Sequence, residues 1–259
     1  IRESTKIRHK SKICVEKEYL YRKNLFYDTL LILKTLPAFL YHNENNSYKQ
    51  KINLFGIKFS NINMNEAMET ITNCVTNNNK SSINFVNPDC FNLLFSDKEY
   101  FNTLKKTDYI FPDGIGIHIA GKIINSPLKQ NINGTDMFPF VCELAQKNQF
   151  SFYFLGAKES VVNNFNNIIS KKYPKLKIAG FHHGYFDKET ESKTIIENIN
   201  KTKTNILLVA LGAPHQEKWI EKYKSELDCQ VIAGVGGLFD FYSESVKRAP
   251  IWMRELGLE

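Results

Sequence analysis

Three short segments carry residue types suited to holding a phosphorylated ligand and moving a proton. Phe111-Pro112-Asp113-Gly114-Ile115-Gly116 sets one carboxylate ahead of two glycines. Leu211-Gly212-Ala213-Pro214-His215-Gln216-Glu217-Lys218-Trp219 and Gly234-Val235-Gly236-Gly237-Leu238-Phe239-Asp240 each follow an apolar run. Such runs are the pattern of buried parallel strands, and ligands of open α/β sheets sit at the carboxyl ends of those strands. Asp113, at a strand end beside glycines that admit a ligand, is placed to act as a general base. A free aspartate titrates near about 3.9, so partial desolvation has to raise it for that task. Backbone N–H groups after Gly212 and Pro214, where a helix begins, can face a phosphate, with Gln216 on a base or sugar edge. Gly234, Gly236 and Gly237 point to close approach of a ligand to the backbone. Each segment also has a plain structural reading: a turn, or a well-capped helix.

Other chemistries fit less well. Gly114 and Gly116 start a G-x-G pattern, but position 119 is Ile119 and Gly121 comes too late for a dinucleotide fingerprint. Asp136 follows Gly134-Thr135 where a helix starts, which suits an N-cap. His182 and His183 are adjacent and so point apart, and the chain has no H-x-x-x-H or Asp-x-Asp motif, so no metal is expected. Cys14, Cys74, Cys90, Cys142 and Cys229 are scattered and never spaced C-x-x-C, as in a reducing compartment. Lys247, Arg248 and Arg254, around Ala249-Pro250-Ile251-Trp252-Met253, form a basic, aromatic stretch suited to a diphosphate or anionic lipid headgroups.

The elements that must position these residues alternate. A strand or hairpin is expected over Ile52–Phe59, strands over Ile83–Val86, Tyr109–Phe111, Phe150–Leu155 and Leu176–Ala179, and two more ahead of the glycine loops. Helices are expected over Asn63–Asn77, 90–106, Gly116–Ile124, Asp136–Lys147, from Ser160 to Lys172, and over Glu189–Lys201. Alternation of this kind predicts an α/β fold, a mostly parallel, Rossmann-like sheet with flanking helices. Residues 1–50 carry ten Lys/Arg against five Asp/Glu, whereas 51–259 carry 24 against 22. The near-neutral body argues against nucleic acid, and the basic start suits an anionic membrane surface. Leu25–Leu36 reads as a short apolar helix ended by Pro37, and His42–Gln50 as a linker. The predicted organisation is therefore a 1–50 extension and a 51–259 domain. No stretch reaches the ~18 apolar residues of a membrane span, and no signal peptide is visible.

Taken in order, these segments resemble the WecG/TagA/CpsF family of bacterial glycosyltransferases. The matching pieces are Asn87-Pro88-Asp89, Phe111 to Gly116, Asn133-Gly134-Thr135-Asp136, Phe154-Leu155-Gly156, His182-His183-Gly184-Tyr185-Phe186, Leu211 to Trp219, Gly234 to Asp240 and Val246-Lys247-Arg248-Ala249-Pro250. The resemblance implies inverting transfer of an N-acetylmannosamine-type sugar from a UDP donor to an undecaprenyl-diphosphate-linked sugar, in cell-wall polysaccharide synthesis, without a metal or other cofactor. It implies Asp113 as base. Asn87, Gly114, Gly116, Thr135, Asp136, Gly156, Gly212, Pro214, Gln216, Glu217, Gly234, Gly236 and Gly237 then fall around the donor, and Lys247, Arg248 and Arg254 on the acceptor or membrane. The expected place is the cytoplasmic face of the cell membrane, peripherally bound; homo-oligomerisation stays open.

The chain departs from the teichoic-acid branch at Phe85, where that branch has Thr, and at Asn131, where it has Arg. The family usually continues past Gly257-Leu258-Glu259 with a basic appendage, so a missing appendage is expected. Residues 21–41 resemble the tail of polyprenyl-phosphate sugar-phosphate transferases, which would make the chain part of a fused enzyme. Rival readings are an NAD(P)-dependent oxidoreductase and a non-catalytic membrane scaffold.

Overall fold

The computed structural model describes residues 50–243. The helix expected over Leu25–Leu36, most of the linker, and Lys247, Arg248 and Arg254 lie outside them.

The described chain opens with an antiparallel hairpin, β1 (Lys51–Leu54) and β2 (Ile57–Ser60). Helix α1 (Met64–Thr76) follows, started by a capping box. Asn63 accepts from the Glu66 N–H at 3.0 Å, and Glu66 accepts from the Asn63 N–H at 2.8 Å. Next come β3 (Ser81–Val86), α2 (Pro88–Ser96), α3 (Lys98–Lys106), β4 (Tyr109–Pro112) and α4 (Ile115–Ile123). Then follow α5 (Gly134–Asn148), β5 (Ser151–Gly156), α6 (Glu159–Lys172), β6 (Lys177–His182) and α7 (Ser192–Lys201). The last elements are β7 (Ile206–Ala210), α8 (His215–Tyr223), β8 (Val231–Gly234) and α9 (Leu238–Tyr242).

Strands β3 to β8 form one parallel sheet in the order β4-β3-β8-β7-β5-β6. Its central strands are apolar on both faces because helices cover both. The period of two sorts their side chains. Phe152, Phe154, Ile206, Leu208, Val231 and Ala233 join the core under α1, α5, α6 and α9. Tyr153, Leu155, Leu207, Val209 and Ile232 join the core under α7 and α8. A third core unites the β1–β2 hairpin with α2, α3 and α4.

Several expectations need correction. The single helix expected over 90–106 is two, because Asp97 leaves helical geometry (φ −120°, ψ 95°) and caps α3 by accepting from the Tyr100 N–H at 2.9 Å. Strand β6 does not stop at Ala179; it runs through Gly180 to His182. A Cβ on Gly180 would stand 2.7 Å from the Tyr153 ring, so this glycine makes room for a neighbour rather than a turn. The last of these helices starts at Ser192 rather than Glu189. Pro214 is the N-cap of α8, after a cis Ala213–Pro214 bond, not its first helical residue. Asp136 is the third residue of α5; the N-cap is Asn133, which accepts from the Asp136 N–H at 2.7 Å and donates to Asp136 Oδ2 at 2.6 Å.

Candidate active site

A parallel sheet brings all its carboxyl ends to one edge. Val86 pairs with Pro112, Asn84 with Gly234, and Val209 with Gly234. Asn87, Asp113, Leu211 and Gly236 therefore leave their strands near one level. Only β3 separates β4 from β8, so Asp113 and Gly236 stand roughly 10 Å apart by strand spacing, and Gly212 one strand further.

The backbone around Asp113 is tied on both sides. The Asp113 N–H donates to Val86 O at 3.0 Å, the Gly114 N–H to Asn131 Oδ1 at 2.8 Å, and the Ile132 N–H to Pro112 O at 2.9 Å. Asp113 itself is half-buried. Asn131, noted in the sequence only as a missing cation, thus holds the loop that carries the carboxylate. Gly114 has φ +94°, and a Cβ on Gly116 would stand 2.7 Å from Pro88 Cγ. The start of α2 therefore packs directly on the residues after Asp113. Asn87 caps α2 by accepting from the Cys90 N–H at 3.0 Å. Phe85, the other departure, is buried against Phe111 and beneath Gly134.

The glycines divide into two kinds. Gly212 (φ +74°) and Gly236 (φ +53°) have no described atom within 4 Å of where a Cβ would stand. They face open space in a conformation that disfavours side chains. At Gly156 a Cβ would stand 2.3 Å from Ala210 O, and at Gly234 2.5 Å from Asn84 Oδ1 and 3.1 Å from Gln216 Nε2. Packing alone accounts for these two. Gly237 is covered by Phe241 at 3.4 Å.

Gln216 and Glu217, expected against the donor, are 3% and 1% exposed. Gln216 Oε1 accepts from the Gly236 N–H at 3.0 Å, and Gln216 Nε2 donates to Glu217 Oε1 at 3.0 Å. The Gln216 amide, expected on a sugar or base edge, thus bonds the backbone of Gly236, a glycine expected to lie close to the ligand. Burial pushes the Glu217 carboxyl up to about 7, against the lowering effect of the Gln216 bond. Glu217 Oε2, Asn84 Oδ1 and Tyr100 Oη are buried with no hydrogen-bond partner among the described residues. Burial raises the Cys90 thiol too, and the charges of Glu217 and Asp113 add to that. The buried cluster thus lies within electrostatic reach of the rim. No sequence pattern announced it, because a Glu in the first turn of a helix is ordinary dipole complementation.

Thr135 lies in the first turn of α5, its carbonyl accepting from Tyr242 Oη at 3.1 Å. His182 Nδ1 lies 2.8 Å from His183 O, at the end of β6. Among the described residues no three His, Cys, Asp or Glu converge as a metal site, and no helix is long and apolar enough to cross a membrane. Helix α4, directly after Asp113, exposes Ile115 and Ile119 at 45% and 39%, one turn apart, with Ile124 at 44% beyond them.

Comparison with known proteins gives the family. The model of the Glycosyl transferase WecG/TagA/CpsF family matches residues 52–259. The chain is 37% identical over 177 residues, 68% of each chain, to the N-acetylglucosaminyldiphosphoundecaprenol N-acetyl-beta-D-mannosaminyltransferase of Bacillus subtilis (strain 168). It is 29% identical over 218 residues, 83% of this chain and 85% of the relative, to a protein of the same name from Staphylococcus aureus. A half-buried aspartate and two open glycines on one edge of a parallel sheet, in a chain matched along most of its length, lead to one assignment: the chain belongs to the WecG/TagA/CpsF family of glycosyltransferases.

Proposed function

We propose that the chain moves an N-acetylmannosamine-type sugar from a UDP donor to an undecaprenyl-diphosphate-linked N-acetylglucosamine, with inversion, in the synthesis of a cell-surface polymer. The observation that carries this reading is the row formed by Asp113, Gly236 and Gly212 at one sheet edge. The donor pyrophosphate lies over the open glycines and the start of α8, whose dipole favours negative charge. Asp113 takes the proton of an acceptor hydroxyl. That oxygen attacks the anomeric carbon from the face opposite UDP, the new C–O bond forms as the C–O bond to UDP breaks, and UDP leaves with the electron pair. The backbone ties at Gly114 and Ile132 fix the aspartate's position before substrate arrives, which lowers the cost of orienting it.

The exposed isoleucines of α4 support a lipid-linked acceptor, because an apolar stripe beside the carboxylate suits a polyprenyl chain or the bilayer it sits in. Peripheral attachment at the cytoplasmic face, with Lys247, Arg248 and Arg254 on phosphate, belongs to the same reading. Asn87, Thr135 and Asp136 are assigned to the sugar side of the donor. The test is transfer from a panel of UDP-N-acetylhexosamines to a short-chain lipid-diphosphate N-acetylglucosamine, with NAD(P) binding measured alongside. The expected result is transfer from the manno-configured donor. Binding of NAD(P) with no transfer from any UDP-sugar overturns the proposal.

A further inference from the structure

The donor loop at the end of β8 is held from below by a chain of two side chains. Glu217 Oε1 fixes the Gln216 amide, and Gln216 Oε1 fixes the Gly236 N–H. The amide orientation follows from this pattern, since a backbone N–H can only meet the oxygen of Gln216. Asn84, on the neighbouring strand, meets the same face of Gly234 as Gln216 does, so the base of the loop is packed against both side chains while Gly236 faces open space above. A carboxyl group is a costly way to build this support. Glu217 is 1% exposed, makes no ion pair among the described residues, and leaves Oε2 without a partner. Buried, under-satisfied polar groups are retained where they do something a hydrophobic side chain cannot.

We infer that Glu217 is a positioning residue: through Gln216 it sets the backbone of Gly236 in the shape that receives the donor, without touching the donor itself. The inference rests on the reading of this edge as the donor site. Burial favours the neutral form of Glu217, and the Gln216 bond opposes it. Tyr100 on α3 and Cys90 on α2 face it, both with raised pKa values led by burial. On its own helix Lys218 is engaged by Asp97 and Glu99, and Lys222 by Glu189. In its protonated form, which burial favours, the carboxyl accepts from Gln216 without placing an unpaired charge below the Gly236 loop.

The test uses Glu217→Leu, Glu217→Gln, Gln216→Ala and the Glu217→Leu/Gln216→Ala double variant of the full chain. Glu217→Leu is expected to raise KM for the UDP-sugar about tenfold with kcat within threefold. Glu217→Gln, which keeps an oxygen acceptor, is expected to restore most of that loss. The double variant is expected to be no worse than Gln216→Ala alone, because both act through one relay. Additive effects, or a wild-type KM in Glu217→Leu, overturn the inference while leaving the donor site standing. Hydrogen exchange at the Gly236 amide gives a readout independent of substrate. Faster exchange there in Glu217→Leu, relative to the β7 amides, supports the relay, and unchanged exchange overturns it even if no UDP-sugar binds the wild type.

Discussion

Two layers meet at the end of β8. The upper one holds the half-buried Asp113 together with Gly212 and Gly236, which face open space among the described residues. The lower one holds Asn84, Tyr100, Gln216 and Glu217, polar groups sealed among apolar side chains. Gly234 and Gly236 lie two residues apart across this divide and are glycine for opposite reasons. The first has no room for a side chain; the second has room and an unfavourable φ. The contrast teaches that glycine-rich motifs at strand ends mix glycines required by packing with glycines left open, and that only geometry separates them.

Substitutions on either side of the divide sharpen the contrast. Asp113→Asn is expected to cut turnover by about a thousandfold, in the range for loss of a general base, while UDP-sugar binding by calorimetry stays close to wild type. A rate within tenfold of wild type removes Asp113 from that role.

Next in size is the lower layer's pH dependence. The Glu217 pKa is raised from 4.5 to about 7, so between those values the folded chain holds a proton that the unfolded chain has released. Its contribution to stability is complete below pH 4.5 and is lost as pH rises through about 7. Glu217→Gln removes that loss and is expected to gain about 2–3 kcal/mol over wild type at pH 8 relative to pH 4.5. Urea unfolding at the two pH values measures it, and parallel pH profiles for the two proteins would contradict it.

The two glycines then separate in kind. Gly234→Ala is expected to lose about 2 kcal/mol of stability by crowding Asn84 and Gln216. Gly236→Ala is expected to lose about 1 kcal/mol from its left-handed backbone, with a raised KM for the donor as its main effect. Equal stability losses and equal KM values would erase the distinction. The smallest effect belongs to a residue between the layers: Asn87→Ala is expected to cost about 1 kcal/mol as a lost helix cap. A KM increase beyond tenfold there would move Asn87 from capping to the donor.

Much of the scaffold was legible because local rules agreed with the fold. The strand or hairpin over 52–59, α1, and the apolar runs of β7 and β8 follow from period and turn chemistry, although Asn63, read as the first helical residue, is the N-cap of α1. The strand order was not legible, because insertion of β8 between β3 and β7 depends on contacts far apart in sequence. Asp97 was missed because it interrupts an apolar pattern that continues in phase on both sides. Gly180 was misjudged because its reason, the Tyr153 ring, lies on another strand. Asp113, Gly212 and Gly236 could be singled out from the sequence by residue type, and the sheet brings the ends of their strands to one edge. The roles of Gln216 and Glu217 could not, since the same two residues at a helix start would serve equally well facing out, and burial is decided by β3 and α3.

The ties between Gly114 and Asn131 and between Pro112 and Ile132 close residues 115–130 into an out-and-back excursion with a common root. Asp113 sits at that root, and the exposed isoleucines sit on the excursion. Ile117 and Leu128 root that stretch in the third core, so its exposed positions are the ones that can be resurfaced without disturbing the loop that carries Asp113. On the proposed reading of this edge, an engineer seeking a new acceptor has a bounded stretch of chain in which to look.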